Sequence, residues 1–178
     1  MKNFLTIFLI SILGVSCSKN DFKNTNLYLE FDKEEYQSND NFELTIRIVP
    51  IENEKTIGIY KNLNNIEISF LSKGEQFGFH QVLNERFIEG SSMSGDDREY
   101  IEEFTISKDK PFEKKLFGKI SESENEIIFE ISELKLTKKI NKNDLIEDQN
   151  ILVKGICRTV YGIEGKSFEV KELKIRVE

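Results

Sequence analysis

Few side chains in this 178-residue chain could make or break bonds. Cys17 and Cys157 are the only thiols and His80 the only imidazole, and no serine sits in a GxSxG frame, so a serine or cysteine relay lacks its parts. One histidine cannot form a zinc cluster, and no glycine-rich phosphate loop occurs. His80 lies in FGFHQV, out of phase with Phe77 and Phe79, and is expected on the solvent face of a strand. Carboxylates are so abundant, at 32, that a pair of them carries little information. Asp96 and Asp97 follow Gly95 and offer the hard oxygens calcium takes, but they lack EF-hand spacing and read first as a solvated loop. The expectation is no catalytic set, no metal site, no cofactor and no enzymatic activity.

Cys17 is the exception, because of what precedes it. Lys2 gives a positive start, residues 4–13 are almost uninterruptedly apolar, and Gly14, Val15 and Ser16 are small or compact. That order is a secretory signal. As a helix, residues 4–15 would extend only about 18 Å, too short for a hydrocarbon core about 30 Å thick. The segment resembles the bacterial lipoprotein signal, with Val15 and Ser16 before the cysteine and Gly14 where leucine is more usual. The resemblance implies cleavage after Ser16, acylation of Cys17, and a mature chain anchored to a membrane by lipid without spanning it. Two or more acyl chains give stable anchoring, since each buried methylene contributes about 0.8 kcal/mol.

The chain contains no alanine and no tryptophan and is rich in Ile, Lys, Asn, Glu and Phe. With the lipobox, this bias resembles small lipoproteins of the Bacteroidota, which implies a lipid-anchored outer-membrane protein on the periplasmic or the surface face. Loss of residues 1–16 removes Lys2 and takes the net charge from −7 to −8. An acidic domain of this kind is not expected to bind nucleic acid. If Cys17 is acylated, Cys157 has no disulfide partner, and its setting in GICRTV reads as a small buried hydrophobe.

The remaining residues point to an all-β domain over 27–178 after a polar tether at 17–26. Leu27, Leu29 and Phe31 alternate with polar neighbours, and Phe42, Leu44, Ile46 and Ile48 do so more cleanly. The stretch LYLEFDKEEYQSNDNFELTIRIV resembles the opening of bacterial immunoglobulin-like sandwich domains, with Tyr36 at the corner tyrosine. The resemblance implies an immunoglobulin-like antiparallel β-sandwich. Further strands are expected at 56–60, 65–71, 77–82, 100–106, 111–120, 126–136, 151–161 and 167–177. The apolar phase slips near Ser132, where a bulge or a crossing between sheets is expected, and again between Val170 and Leu173. Lys114, Lys115, Lys119, Lys138, Lys139 and Lys142 read as edge or surface lysines.

Function is expected to lie in binding. Residues 89–98 (EGSSMSGDDR) form the most loop-like stretch, with Met93, Asp96, Asp97 and Tyr100 as candidate contact points for an envelope protein. Exposed tyrosines among Tyr28, Tyr36, Tyr60, Tyr100 and Tyr161 would instead suit a glycan.

Overall fold

The computed structural model describes residues 22–75, 101–145, 150–160 and 165–176. The expected signal and lipidation site, His80 with its expected strand at 77–82, the loop at 89–98, Met93, Asp96, Asp97, Tyr100 and Tyr161 all lie outside the described residues. The described chain is all β, with strands β1 (Thr25–Phe31), β2 (Glu35–Gln37), β3 (Asn41–Pro50), β4 (Lys55–Tyr60), β5 (Ile66–Leu71), β6 (Ile101–Ile106), β7 (Phe112–Glu122), β8 (Glu126–Ile131), β9 (Leu136–Asn141), β10 (Asn150–Arg158), β11 (Gly165–Ser167) and β12 (Lys171–Arg176).

Two sheets pack face to face, one of them curled into a half-barrel. The first has the order β1-β3-β7-β8-β9 and is antiparallel throughout. In the second, β5 lies along one edge of β10 while β11 and β12 pair in succession along the other. β2 then adds to β12 in parallel, the one parallel pair among the described strands. A separate ribbon, β4 with β6, buries Ile57 and Ile59 in the core.

Alternation explains the first sheet. β3 places Phe42, Leu44, Ile46 and Ile48 inside and Glu43, Thr45, Arg47 and Val49 outside, and its register sets Leu44 opposite Leu116 and Ile48 opposite Phe112. The outward residues pair by charge: Arg47 lies 3.1 Å from Glu113 and 3.7 Å from Glu30, and Lys115 lies 2.6 Å from Glu43. β5 follows a different rule, since it is buried nearly throughout.

The two phase slips have different causes. At Ser132 the chain neither bulges nor crosses to the other sheet: a 3-10 turn (Ser132–Leu134) and Lys135 at φ 49° reverse it, so that β9 runs back along β8 with Leu136 opposite Ile131. The expected strand over 126–136 is therefore the first arm of a hairpin. Near the end, Ile156 faces Ser167 and Val153 faces Lys171, so three steps on β10 meet four on the returning chain. That extra residue lies among 168–170, ahead of the expected slip between Val170 and Leu173, and the phase changes after the buried Phe168, leaving Val170 exposed. The packed fold also starts earlier than Leu27: β1 opens at Thr25, and Phe22 is buried in the core with its carbonyl held by the Thr25 hydroxyl at 2.5 Å.

The lysines divide by position. Lys138 and Lys139 do stand on β9, an edge strand of the first sheet, whereas Lys114, Lys115 and Lys119 stand on the interior strand β7.

Candidate functional site

β7 carries the most exposed aromatic among the described residues. In FEKKLFGKI, Phe112, Leu116 and Ile120 point into the core, so Phe117, one step after Leu116, must project from the opposite face. It is 61% exposed. Its neighbours form an open groove across β3, β7 and β8, with Asp32, Glu43, Lys119 and Glu130 around the ring.

The groove floor depends on a close contact. Gly118 stands opposite Phe42 on β3, and a Cβ there would overlap the Phe42 ring. The absent side chain lets Phe42 lie under the strand, among Phe31, Tyr36 and Phe70 at centroid distances of 5.8, 6.1 and 6.1 Å.

One wall is tied to the corner that the sequence singles out. Tyr36 is buried and its hydroxyl donates to Asp32 Oδ1 at 2.6 Å, while accepting from the Lys33 N–H at 3.1 Å. The same Asp32 oxygen accepts the Glu43 N–H at 2.7 Å, joining the corner to β3. Lys33 Nζ lies 5.4 Å from the Tyr36 ring centre. Burial pushes the Asp32 carboxyl up, but the hydrogen bonds from Tyr36 and the Glu43 backbone outweigh it and hold the group below the ordinary carboxylate value. Burial, and then the bond to Asp32, push the Tyr36 phenol well above its ordinary value. At neutral pH the groove therefore presents an ionised carboxylate fixed in place by a neutral phenol.

A second groove opens where the chain enters the fold, bordered by Phe22, Lys23, Ile51 and Lys166. Beneath the strand ends nearby lies a buried polar cluster. Arg158 Nε meets Glu67 Oε1 at 3.0 Å with both side chains almost fully buried. Asn65 accepts the Tyr60 N–H and donates to the carbonyls of Gly58 and Arg158, tying β4, β5 and β10 together. Cys157 is buried against this cluster, 3.9 Å from the Asn65 amide, and burial pushes its thiol well up. A protonated, enclosed thiol is a poor nucleophile.

No protein-family model, curated protein or solved structure matches this chain. The candidate surfaces thus rest on their own geometry. Among the described residues no group of three or more His, Cys, Asp or Glu side chains is placed to hold a metal ion. Of the tyrosines considered as a sugar platform, Tyr36 is buried, and Tyr28 and Tyr60 are half-buried, with the Tyr60 hydroxyl bound to the Val160 carbonyl. Phe117 was legible only through its phase: it is the one aromatic in its strand out of step with a four-residue apolar spacing.

Proposed function

We propose that this chain is an envelope lipoprotein whose acylated Cys17 holds an immunoglobulin-like sandwich at a membrane, and that the sandwich binds another protein through the face around Phe117. The observation that carries the binding half is an aromatic ring, 61% exposed, at the centre of a charged sheet face. Aromatic anchors ringed by polar groups are the usual energetic centre of protein interfaces. No catalytic role is proposed.

The immunoglobulin-like reading draws on the strand arrangement. It is supported by strand order: β1, β3 and β7 neighbour one another as A, B and E do in that fold, and β5, β10 and β12 as C, F and G do. It departs beyond β7, where the D strand, which precedes E in the chain, is replaced by β8 and β9, which follow it. This half is a meander.

A second reading, glycan binding at the same groove, is favoured by its carboxylates: Asp32, Glu43 and Glu130 are acceptors for sugar hydroxyls beside a ring that can stack on a sugar face. Two substitutions separate these ideas. Cys17→Ser should move the protein from the membrane fraction to the soluble fraction, and a variant that stays as firmly bound as the wild type refutes the anchor. A photo-crosslinker at position 117 should capture a protein from intact envelopes. Capture of glycan alone supports the second reading, and absence of any capture refutes both.

A further inference from the structure

We infer that β6 is a docking edge, where an extended strand of another protein, carrying lysine or arginine, adds to the β4/β6 ribbon. The ribbon lies at the entry end of the sandwich, where the chain joins the fold and Lys55 of β4 donates to the Lys23 carbonyl. This edge is separate from the Phe117 face and owes nothing to the reading of Cys17.

Hydrogen-bond phase decides which way β6 points its peptide groups. Asn65 accepts the Tyr60 N–H at 3.1 Å and donates to the Gly58 carbonyl at 3.3 Å, and the Tyr60 carbonyl accepts the Leu63 N–H at 2.8 Å. The peptide groups of Gly58 and Tyr60 are therefore turned away from β6, and β4 bonds its partner through Ile57 and Ile59, opposite Phe104 and Glu102. The N–H and C=O groups of Ile101, Glu103 and Thr105 then project from the other side of β6. Ser107, next in that phase, has the same sense: its N–H goes to the Lys110 carbonyl at 3.0 Å rather than to β4. Among the described strands none pairs with this side.

The other sheet edges are closed, short or guarded. β4 is capped by Asn65, β5 is buried nearly throughout, and β2 and β11 are three residues long. On β1 the Leu27 carbonyl accepts the Glu169 N–H at 2.9 Å, and the Thr25 carbonyl accepts from the Lys166 ammonium. β9 carries Lys138 and Lys139, the residue type that discourages edge pairing. β6 has six residues, three of them exposed, with no proline and no lysine.

Charge names the occupant. Glu102 and Glu103 stand on opposite faces of β6, and across the ribbon they meet Ile59 and Gly58, so neither has a cation beside it on β4. On the first sheet the outward acids Glu30, Glu43, Glu113 and Glu126 are each matched by an arginine or lysine of the neighbouring strand. For β6 the lane that would hold such cations is the unpaired side. The nearest lysines in the chain lie beyond the acids: Lys55 faces Ile106 at the end of the strand, and Lys108 and Lys110 are in the turn that follows. A second copy is a poor fit, because the antiparallel register that uses all three open residues sets Glu103 against its own counterpart, and like charges directly opposite destabilise a pair. A strand with a lysine or arginine opposite each acid gains a charge pair on both faces along with the ladder.

The test uses the whole mature chain carrying Cys17→Ser and two capped peptides, Thr-Val-Lys-Lys-Val-Thr and Thr-Val-Glu-Glu-Val-Thr, with amide hydrogen exchange read residue by residue by NMR. The lysine peptide near saturation should slow exchange at the Glu103 and Thr105 N–H about tenfold and leave Glu102 and Phe104, already bonded to β4, unchanged. The glutamate peptide should have no effect. Glu102→Lys with Glu103→Lys should reverse that preference. Thr105→Pro removes one outward N–H without touching the bonds to β4, and should abolish the protection of Glu103 in a folded protein, whereas Phe117→Ser should not. Equal protection by the two peptides, protection by neither, or protection that survives Thr105→Pro in a folded variant overturns the inference. Protection that appears on raising the protein concentration alone would name a second copy as the occupant, which also overturns it. Loss of protection with Phe117→Ser does so too, by placing the peptide on the other face. Capture at position 117 is judged by its own crosslink, so each surface can fail alone.

Discussion

The two ends of the sandwich are closed by opposite chemistry. At the far end, Phe31, Tyr36, Phe42, Phe70 and Phe129 interlock, with Phe70 stacked on Phe129 at 4.5 Å, and the one buried polar group among them, the Tyr36 hydroxyl, reaches out to a carboxylate that still touches water. At the entry end the core contains a buried ion pair and an amide that serves three strands. Neighbouring rings can move part of the way into a space left by a shortened apolar side chain. A buried ion pair has no such relief, because removing one charge strands the other in a medium that cannot solvate it. The entry end should therefore be the more brittle of the two.

The largest effect tests that brittleness. Glu67→Leu should cost about 3–5 kcal/mol, measured by urea unfolding, whereas the double replacement Glu67→Leu with Arg158→Met should recover most of the loss. A single variant costing under about 1 kcal/mol breaks the comparison.

Next comes the aromatic end. Gly118→Ala drives a methyl group against the Phe42 ring, and overpacking of this kind costs about 1–3 kcal/mol. Pairing it with Phe42→Leu should relieve part of that cost, because the ring is what the methyl group meets. A neutral Gly118→Ala would mean that the rings shift freely, and that this end is not close-packed.

The smallest effect sharpens the comparison by pH. Tyr36→Phe should cost about 1 kcal/mol at neutral pH, since it removes one hydrogen bond to a carboxylate that is largely exposed. Asp32 is held below its unfolded value, so its stabilisation is present above the ordinary carboxylate range and is lost as pH falls through its folded value. Denaturation curves from pH 6 downward should therefore be shallower for Tyr36→Phe than for the wild type. A residual slope is expected from Glu75, which burial raises but Lys138 and the Ser72 backbone lower further, and from Glu122, lowered by its bond to Lys142. Parallel curves for the two proteins would remove the corner from the account.

The far end was largely legible in the sequence and the entry end was not. Period-two alternation over Phe42 to Ile48 is a local signal, and Asp32, Lys33 and Tyr36 lie within five residues, so the corner and its strand could be read from one stretch. The slip expected after Val170 corresponds to an extra residue that lies earlier, among 168–170, because Val170 is exposed and does not share the core phase of Phe168. The slip at Ser132 was misread because a hairpin with a short turn and a strand that changes faces leave the same mark on hydropathy. Glu67 and Arg158 are 91 positions apart, and only an acid inside IEISFL and an arginine inside ICRTV hinted that charges were being buried. Alternation cannot flag such residues where a strand is covered on both faces, as β5 is. β4 and β6 pair across more than forty residues with no turn to join them, so their ribbon had no local signature either.

The pairing of β1 has a mechanical consequence. Under the Cys17 anchor proposed above, a pull delivered through Phe22 would enter the fold at Thr25 and run along the strand axis, and all seven residues of β1 are matched to β3 from Thr25 to Phe31. Such a load cannot open the pairs one at a time as it would if applied across the strands. It must slide the whole strand at once, against the Glu169 N–H on the Leu27 carbonyl and the Lys166 ammonium on Thr25 as well. With that anchor the domain would be loaded in shear, the direction in which a β-sheet resists tension best.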